Sequence, residues 1–167
     1  QAGISSVHKW EEMSASELKA ALERKSLVYV PIGTLEFHGV HLPLATDAIH
    51  AYEFCLAAAA QTGGVVLPVS HWSPHGHEKW LGSMLVREET FRALMTDVFT
   101  RLAEQDVKWV VACTGHYPQK QEPAIRAIAG AVNVEFPLKT ACCGGAHTLS
   151  DSDMSTKLVL NIIRAAE

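Results

Sequence analysis

SLVYVPIGTLEFHGVHLPLATDAIHAYEFCLAAAAQ, residues 26–61, reads as three pieces in succession. Residues 26–33 are apolar and rich in β-formers, and Gly33 closes them; they predict a buried strand. Residues 47–61 carry the pattern of a helix, stopped by Gly63 and Gly64. Between the two lies EFHGVHLPLATD (36–47), which puts one glutamate, two histidines and one aspartate into twelve residues. A strand-to-helix junction is an unusual place for four side chains able to hold a metal.

The rest of the chain repeats the alternation. Ser14 to Glu17 form a capping box that opens a helix running to about residue 25. Residues 64–70 predict a second strand, weakened by Pro68, which has no N–H to donate. In 88–104, Phe91, Leu94, Met95, Val98, Phe99 and Leu102 make a single apolar stripe at helical spacing. Residues 108–115 predict a third strand and 120–131 a helix, with Pro123 in its first turn. A fourth strand is expected over 134–143 and a last helix over 154–166. Strands alternating with helices imply βαβ crossovers and an α/β fold with a mainly parallel sheet covered on both faces. No repeat, linker or low-complexity tract divides the 167 residues, so a single domain over 1–167 is expected.

Composition narrows the partners. A net charge of −4 offers no basic footprint for nucleic acid. No apolar run approaches a membrane span. The four cysteines, Cys55, Cys113, Cys142 and Cys143, include no CxxC pair and read as free thiols. With no visible signal peptide, the expected compartment is cytoplasmic.

In a parallel sheet the C-terminal ends of the strands share one edge, where ligands bind. Glu36, His38, His41 and Asp47 follow the first predicted strand, and His71, His75 and His77 the second. His116 follows the third; His147, Asp151 and Asp153 follow the fourth. Each alone has an ordinary reading: Asp47 as a helix cap, Glu36 as a solvated charge, His116 as a core histidine. Together they place His or carboxylate on one edge from four segments. Glu36 and His38, two apart, point the same way in extended backbone. With Asp47 and His116 they make a mixed nitrogen and oxygen set suited to Zn²⁺, Mn²⁺ or Fe²⁺. A bridging carboxylate would allow two ions to activate water for hydrolysis.

These residues resemble a known family. PIGTLEFHGVHLPLATDAIHA (31–51) is similar to the first motif of the creatininase family of metal-dependent amidohydrolases, P-x-G-S-x-E-Q-H-G-x-H-L-P-L-x-T-D. HGHEKWLGSMLV (75–86) resembles its H-x-x-F-P-G-T-x-S-L segment, and VVACTGHYPQ (110–119) its strand with N-G-H-G-G-N or N-G-H-Y-E-N. The resemblance implies a creatininase-like three-layer α/β sandwich, up to two divalent transition metal ions (zinc, manganese or iron) and a homo-oligomer such as a hexamer. It implies Glu36, His38, Asp47 and His116 as metal ligands, with Asp47 bridging. It places His77 near the substrate. Asp153 matches the first glutamate of the family's C-terminal motif, so His77 and Asp153 are the catalytic candidates. Tyr117 and Trp80 are candidates for the substrate wall. The implied reaction is hydrolysis of a small, possibly cyclic, amide or formamide by metal-activated water.

Several positions depart from the family pattern. Thr114 stands where asparagine is usual, and Pro118 where creatinine-hydrolysing members carry a glutamate ligand. The tryptophans expected for creatinine in the C-terminal part are absent, since the four here are Trp10, Trp72, Trp80 and Trp109. These departures motivate an alternative: a non-catalytic relative that binds a ligand or serves as a scaffold. A metal-assisted lyase or isomerase is a third reading. Phosphate-binding loops and a G-x-S-x-G elbow are both missing.

Overall fold

A computed structural model describes residues 7–118, 120–135 and 139–142. The expected last helix, and with it His147, Asp151 and Asp153, lies outside the described residues. The strands are β1 (His8–Lys9), β2 (Leu27–Ile32), β3 (Val65–Val66), β4 (Trp109–Thr114) and β5 (Lys139–Cys142). The helices are α1 (Ala15–Arg24), α2 (Thr46–Thr62), α3 (Glu88–Glu104) and α4 (Gln121–Glu135), with a 3-10 turn over Trp10–Glu12.

All described strand pairs are parallel, in the order β1-β3-β2-β4-β5. β2 is central and buried along its whole length. It pairs with β4 over six positions, from Leu27 with Trp109 to Ile32 with Thr114. Alternation of side chains along the strands sorts them into two cores. Val28, Val30 and Ile32 of β2 and Val110 and Ala112 of β4 face Phe91, Met95, Phe99 and Leu102 of α3 and Ile125 of α4. Leu27, Tyr29, Val111 and Cys113 face Cys55 and Ala59 of α2. The result is three layers, helices on both faces of the sheet. Full burial of Phe91, Met95 or Phe99 contributes roughly 1.5–3 kcal/mol each.

The capping box of α1 is formed: Glu17 N–H reaches Ser14 Oγ, and Ser14 N–H donates to Glu17 Oε2 at 2.8 Å. β3 is shorter than the expected 64–70. After Val66 the chain leaves the sheet and returns where Ser70 bridges Ile32. The break has a partner in β2. Tyr29 and Pro31 carbonyls accept from Leu67 and Ser70 N–H groups. Pro31 therefore turns its missing N–H toward the gap around Pro68. A proline in a central strand is tolerated here because its neighbour has bulged away.

The order of connections positions the site. β3 lies on one side of β2, and β4, reached through α3, on the other. Consecutive connections thus diverge beside β2, which opens a crevice at the C-terminal ends of β2 and β4. Among the described residues no helix is long and apolar enough to cross a membrane. Cys55 and Cys113 are both buried.

Candidate metal centre

Three loops meet at that crevice. The segment after β2 carries Glu36 and His38, and the first turn of α2 carries Asp47. Gly115 and His116 follow β4 directly. Glu36 and Asp47 are each 7% exposed and His116 4%. Asp47 is not the cap of α2, which is Ala45; its carboxylate turns inward to the two histidines. Oδ1 lies 2.8 Å from His38 Nε2, and Oδ2 lies 2.9 Å from His116 Nδ1. Glu36 Oε1 is 3.1 Å from the same His116 nitrogen and 3.8 Å from His38 Nε2.

Backbone partners fix the tautomers. His38 Nδ1 lies 3.0 Å from the Glu36 carbonyl, and His116 Nε2 lies 2.7 Å from the His75 carbonyl. A carbonyl only accepts, so these ring nitrogens carry the hydrogens. In the neutral imidazoles the other two nitrogens are then bare lone pairs, both aimed at carboxylate oxygens. Lone pairs facing lone pairs in a buried site repel unless a proton or a cation sits between them. Burial disfavours charge on His116, but the hydrogen bond to Asp47 and the charge of Glu36 outweigh it, and its pKa is raised. The proton answers the repulsion in one way; a divalent cation answers it in another.

The donor set fits a metal. Ligand atoms of Glu36, His38 and Asp47 lie within 4.8 Å of one another. Atoms around a tetrahedral ion at about 2.0–2.1 Å stand about 3.3 Å apart, within the observed spread of contacts. Each imidazole donates its outer N–H to a carbonyl, the arrangement that orients histidine ligands. The two Asp47 oxygens diverge toward different histidines, as a bridging carboxylate requires.

Two glycines make room. A Cβ on Gly115 would overlap the Asp47 carbonyl, and one on Gly76 would overlap Glu36 Oε2. Gly76 also has φ 145°, and His75 before it sits in the left-handed region at φ 62°. For a non-glycine residue that conformation is strained by roughly 1–3 kcal/mol, and such strain gathers at functional sites. The His75 ring is 3.2 Å from Glu88 Oε2, and Arg92 holds the other Glu88 oxygen at 2.8 Å.

The remaining candidates are placed differently. His77 is exposed, and it is its backbone N–H that enters the centre, donating to Glu36 Oε2 at 3.0 Å. Trp80 is 56% exposed and stacks on Phe37, ring centres 4.6 Å apart and 8° from parallel. Tyr117 is half-buried, its hydroxyl donating to the Thr114 carbonyl. The gripping groups of residues 75 and 77 are main-chain atoms, which side-chain identities do not announce. The neighbouring Gly76 was the only signal for them.

Comparison with known proteins bears on the family and the fold. The family model for creatininase, creatinine amidohydrolase, matches residues 11–162. A crystal structure of creatinine amidohydrolase superposes with a TM-score of 0.74 at 21% identity, covering 83% of this chain and 59% of that one. A manganese creatininase gives 0.73 at 19% identity, with 82% and 58% covered. A putative creatinine amidohydrolase from Bacteroides fragilis gives 0.61 at 21% identity, with 83% and 57% covered. The chain thus spans less than two thirds of the length of these structures. A search of curated proteins finds no match. With a family model matched along most of its length and the fold of solved creatininases, the chain belongs to the creatininase family.

Proposed function

We propose that the protein is a metal-dependent amidohydrolase that cleaves a small amide, formamide or lactam other than creatinine. The observation that carries this reading is the approach of two ring nitrogens, His38 Nε2 and His116 Nδ1, to the carboxylates of Glu36 and Asp47. These four residues would hold zinc, manganese or iron, one or two ions. A metal ion bound there supplies a Lewis acid that polarises a carbonyl and lowers the pKa of water. The chain's own groups do the rest. Asp47 and Glu36 balance positive charge in a buried site. The His75 carbonyl and the His77 N–H hold His116 and Glu36 in orientation. Creatinine is set aside because Pro118 stands where creatinine-hydrolysing members of the family carry a ligand glutamate.

His77 and, by the family resemblance alone, Asp153 are proposed for proton transfer, and Trp80 and Tyr117 for the substrate wall. Trp80, flat against Phe37 and more than half exposed, offers a ring face to a planar amide. We further propose a single domain, a cytoplasmic setting and a homo-oligomer. The exposed apolar side chains Val40 and Leu81, with Met84, support association of copies, which size-exclusion chromatography with light scattering tests.

The direct experiment is metal analysis of purified protein, followed by hydrolysis assays on small amides and lactams after reconstitution. Stoichiometric zinc, manganese or iron with turnover that Glu36→Gln and His116→Ala abolish supports the reading. Protein that takes up no transition metal overturns it. Pro118 keeps a second reading alive, a non-catalytic binder with the same fold; it would keep its biological role in both variants.

A further inference from the structure

Gln121, the first residue of α4, is 1% exposed, and no part of the metal-centre reading uses it. Its amide makes two buried hydrogen bonds. The Thr114 hydroxyl shares its one hydrogen between Oε1 at 3.0 Å and the His116 carbonyl at 2.6 Å, and Nε2 donates to Ser73 Oγ at 2.9 Å. Ser73 in turn donates its single hydrogen to the Gly33 carbonyl at 2.7 Å. Because that carbonyl only accepts, Ser73 must accept from Gln121, which sets Nε2 toward Ser73 and Oε1 toward Thr114.

Both ends of this chain of bonds lead to the centre. At one end, Thr114 Oγ1 accepts the N–H of His116 at 3.2 Å. At the other, Ser73 opens the loop whose His75 carbonyl accepts from His116 Nε2–H and whose His77 N–H donates to Glu36 Oε2. His116 is therefore held from two sides: by β4, which carries it, and by the 73–77 loop, which grips the back of its ring. The Gln121 amide spans the two.

Satisfying stranded polar groups does not explain this amide. Without it, Thr114 Oγ1 still reaches the His116 carbonyl at 2.6 Å, and Ser73 still has Gly33. What is lost is the tie between the strand end and the loop. We propose that Gln121 is a positioning residue of the metal centre, its amide fixing the separation between His116 and the loop that orients it. The inference rests on the metal-centre reading above.

The test uses the full chain, cobalt(II) as probe, visible absorption and calorimetry as readouts, and melting of the chelated protein as control. Gln121→Met keeps the length of the side chain and removes both bonds. Loss of such an orienting contact weakens metal binding by about tenfold or more. The expected result is that loss, with a changed cobalt visible spectrum and a metal-free melting temperature close to that of the parent. Ser73→Ala cuts the same chain at its far end and is expected to give a similar loss, with the double variant no worse than either alone. A folded Gln121→Met protein with parental cobalt affinity and spectrum overturns the proposal. So do strictly additive losses in the double variant. If Gln121→Met does not fold, parental cobalt affinity in Ser73→Ala is the overturning result. A parent that binds cobalt beside an unaffected variant sinks only this inference; a parent that binds none sinks the metal-centre reading as well.

Discussion

Asp47→Asn separates a metal ligand from an ordinary buried aspartate. The variant keeps the shape and removes the charge. In the parent, each Asp47 oxygen serves one histidine, at 2.8 and 2.9 Å. An ion held by a partly preformed site stabilises the native state by about 4 kcal/mol at a thousandfold excess over its Kd. For a chain of this size that is about 8–16 °C in melting temperature. Losing the shared carboxylate should weaken binding about a hundredfold, leaving roughly 1.4 kcal/mol, or about 3–6 °C, at the same metal concentration. The metal-free comparison has the opposite sense. Glu36 and Asp47 both reach His116 Nδ1, so their nearest oxygens lie within about 6 Å, and two carboxylates at that distance repel by about 3 kcal/mol at an effective dielectric of 20. In chelator, at a pH alkaline enough for His116 to have lost its proton despite its raised pKa, Asp47→Asn should melt no lower than the parent. Calorimetric or circular-dichroism melts with and without zinc or manganese give all four values. Equal metal-induced shifts in parent and variant, or an equal loss of stability with and without metal, would refute the reasoning.

Other perturbations probe the frame around the centre. Gly115→Ala drives a methyl into the Asp47 carbonyl and should separate His116 from Asp47; expected are about 1–3 kcal/mol of destabilisation in urea and a weaker metal Kd by calorimetry. Phe99→Ala opens a cavity between α3 and the sheet and should cost about 3–5 kcal/mol in the same urea assay, with no metal-specific component. The Ser14 hydroxyl and N–H hold the Glu17 carboxyl below its ordinary 4.5. A depressed carboxyl stabilises above its unfolded pKa and loses that contribution as pH falls through the folded value. The stability gap between parent and Glu17→Gln should therefore be open at neutral pH and close in acid, as urea melts across pH 3–7 at about 25 °C would record.

Legibility in the sequence followed the kind of signal each feature carries. α3 matched its expected bounds, 88–104, because its apolar stripe is long and periodic, although Leu94 falls at the exposed margin. β2 and β4 were readable as short apolar runs closed by Gly33 and Gly115. β1, two residues at a sheet edge, has too little pattern to see, and the strand order depends on long-range pairing that no local window contains. β3 fell short of 64–70 because the break around Pro68 is shared with Pro31, one strand away.

At the centre, Glu36, His38, Asp47 and His116 were legible because each sits where a strand hands over to a loop or helix. Their convergence needed only the shared edge of a parallel sheet. The His75 carbonyl, the His77 N–H and the Gln121 amide were not legible. The first two are main-chain atoms whose direction depends on φ at His75 and Gly76. The third is a polar residue at a helix start, where an exposed side chain is the ordinary expectation.

The most direct measurement is an anomalous-difference map from crystals grown with zinc or manganese, collected on either side of the metal edge. The expected result is a peak about 2.0–2.2 Å from the Asp47 carboxylate and from His38 Nε2 or His116 Nδ1, with Glu36 in reach. A second peak would mark Asp47 as the bridge. Well-ordered crystals with no anomalous peak among these four side chains, in excess metal, would contradict the metal centre and the hydrolysis proposed for it.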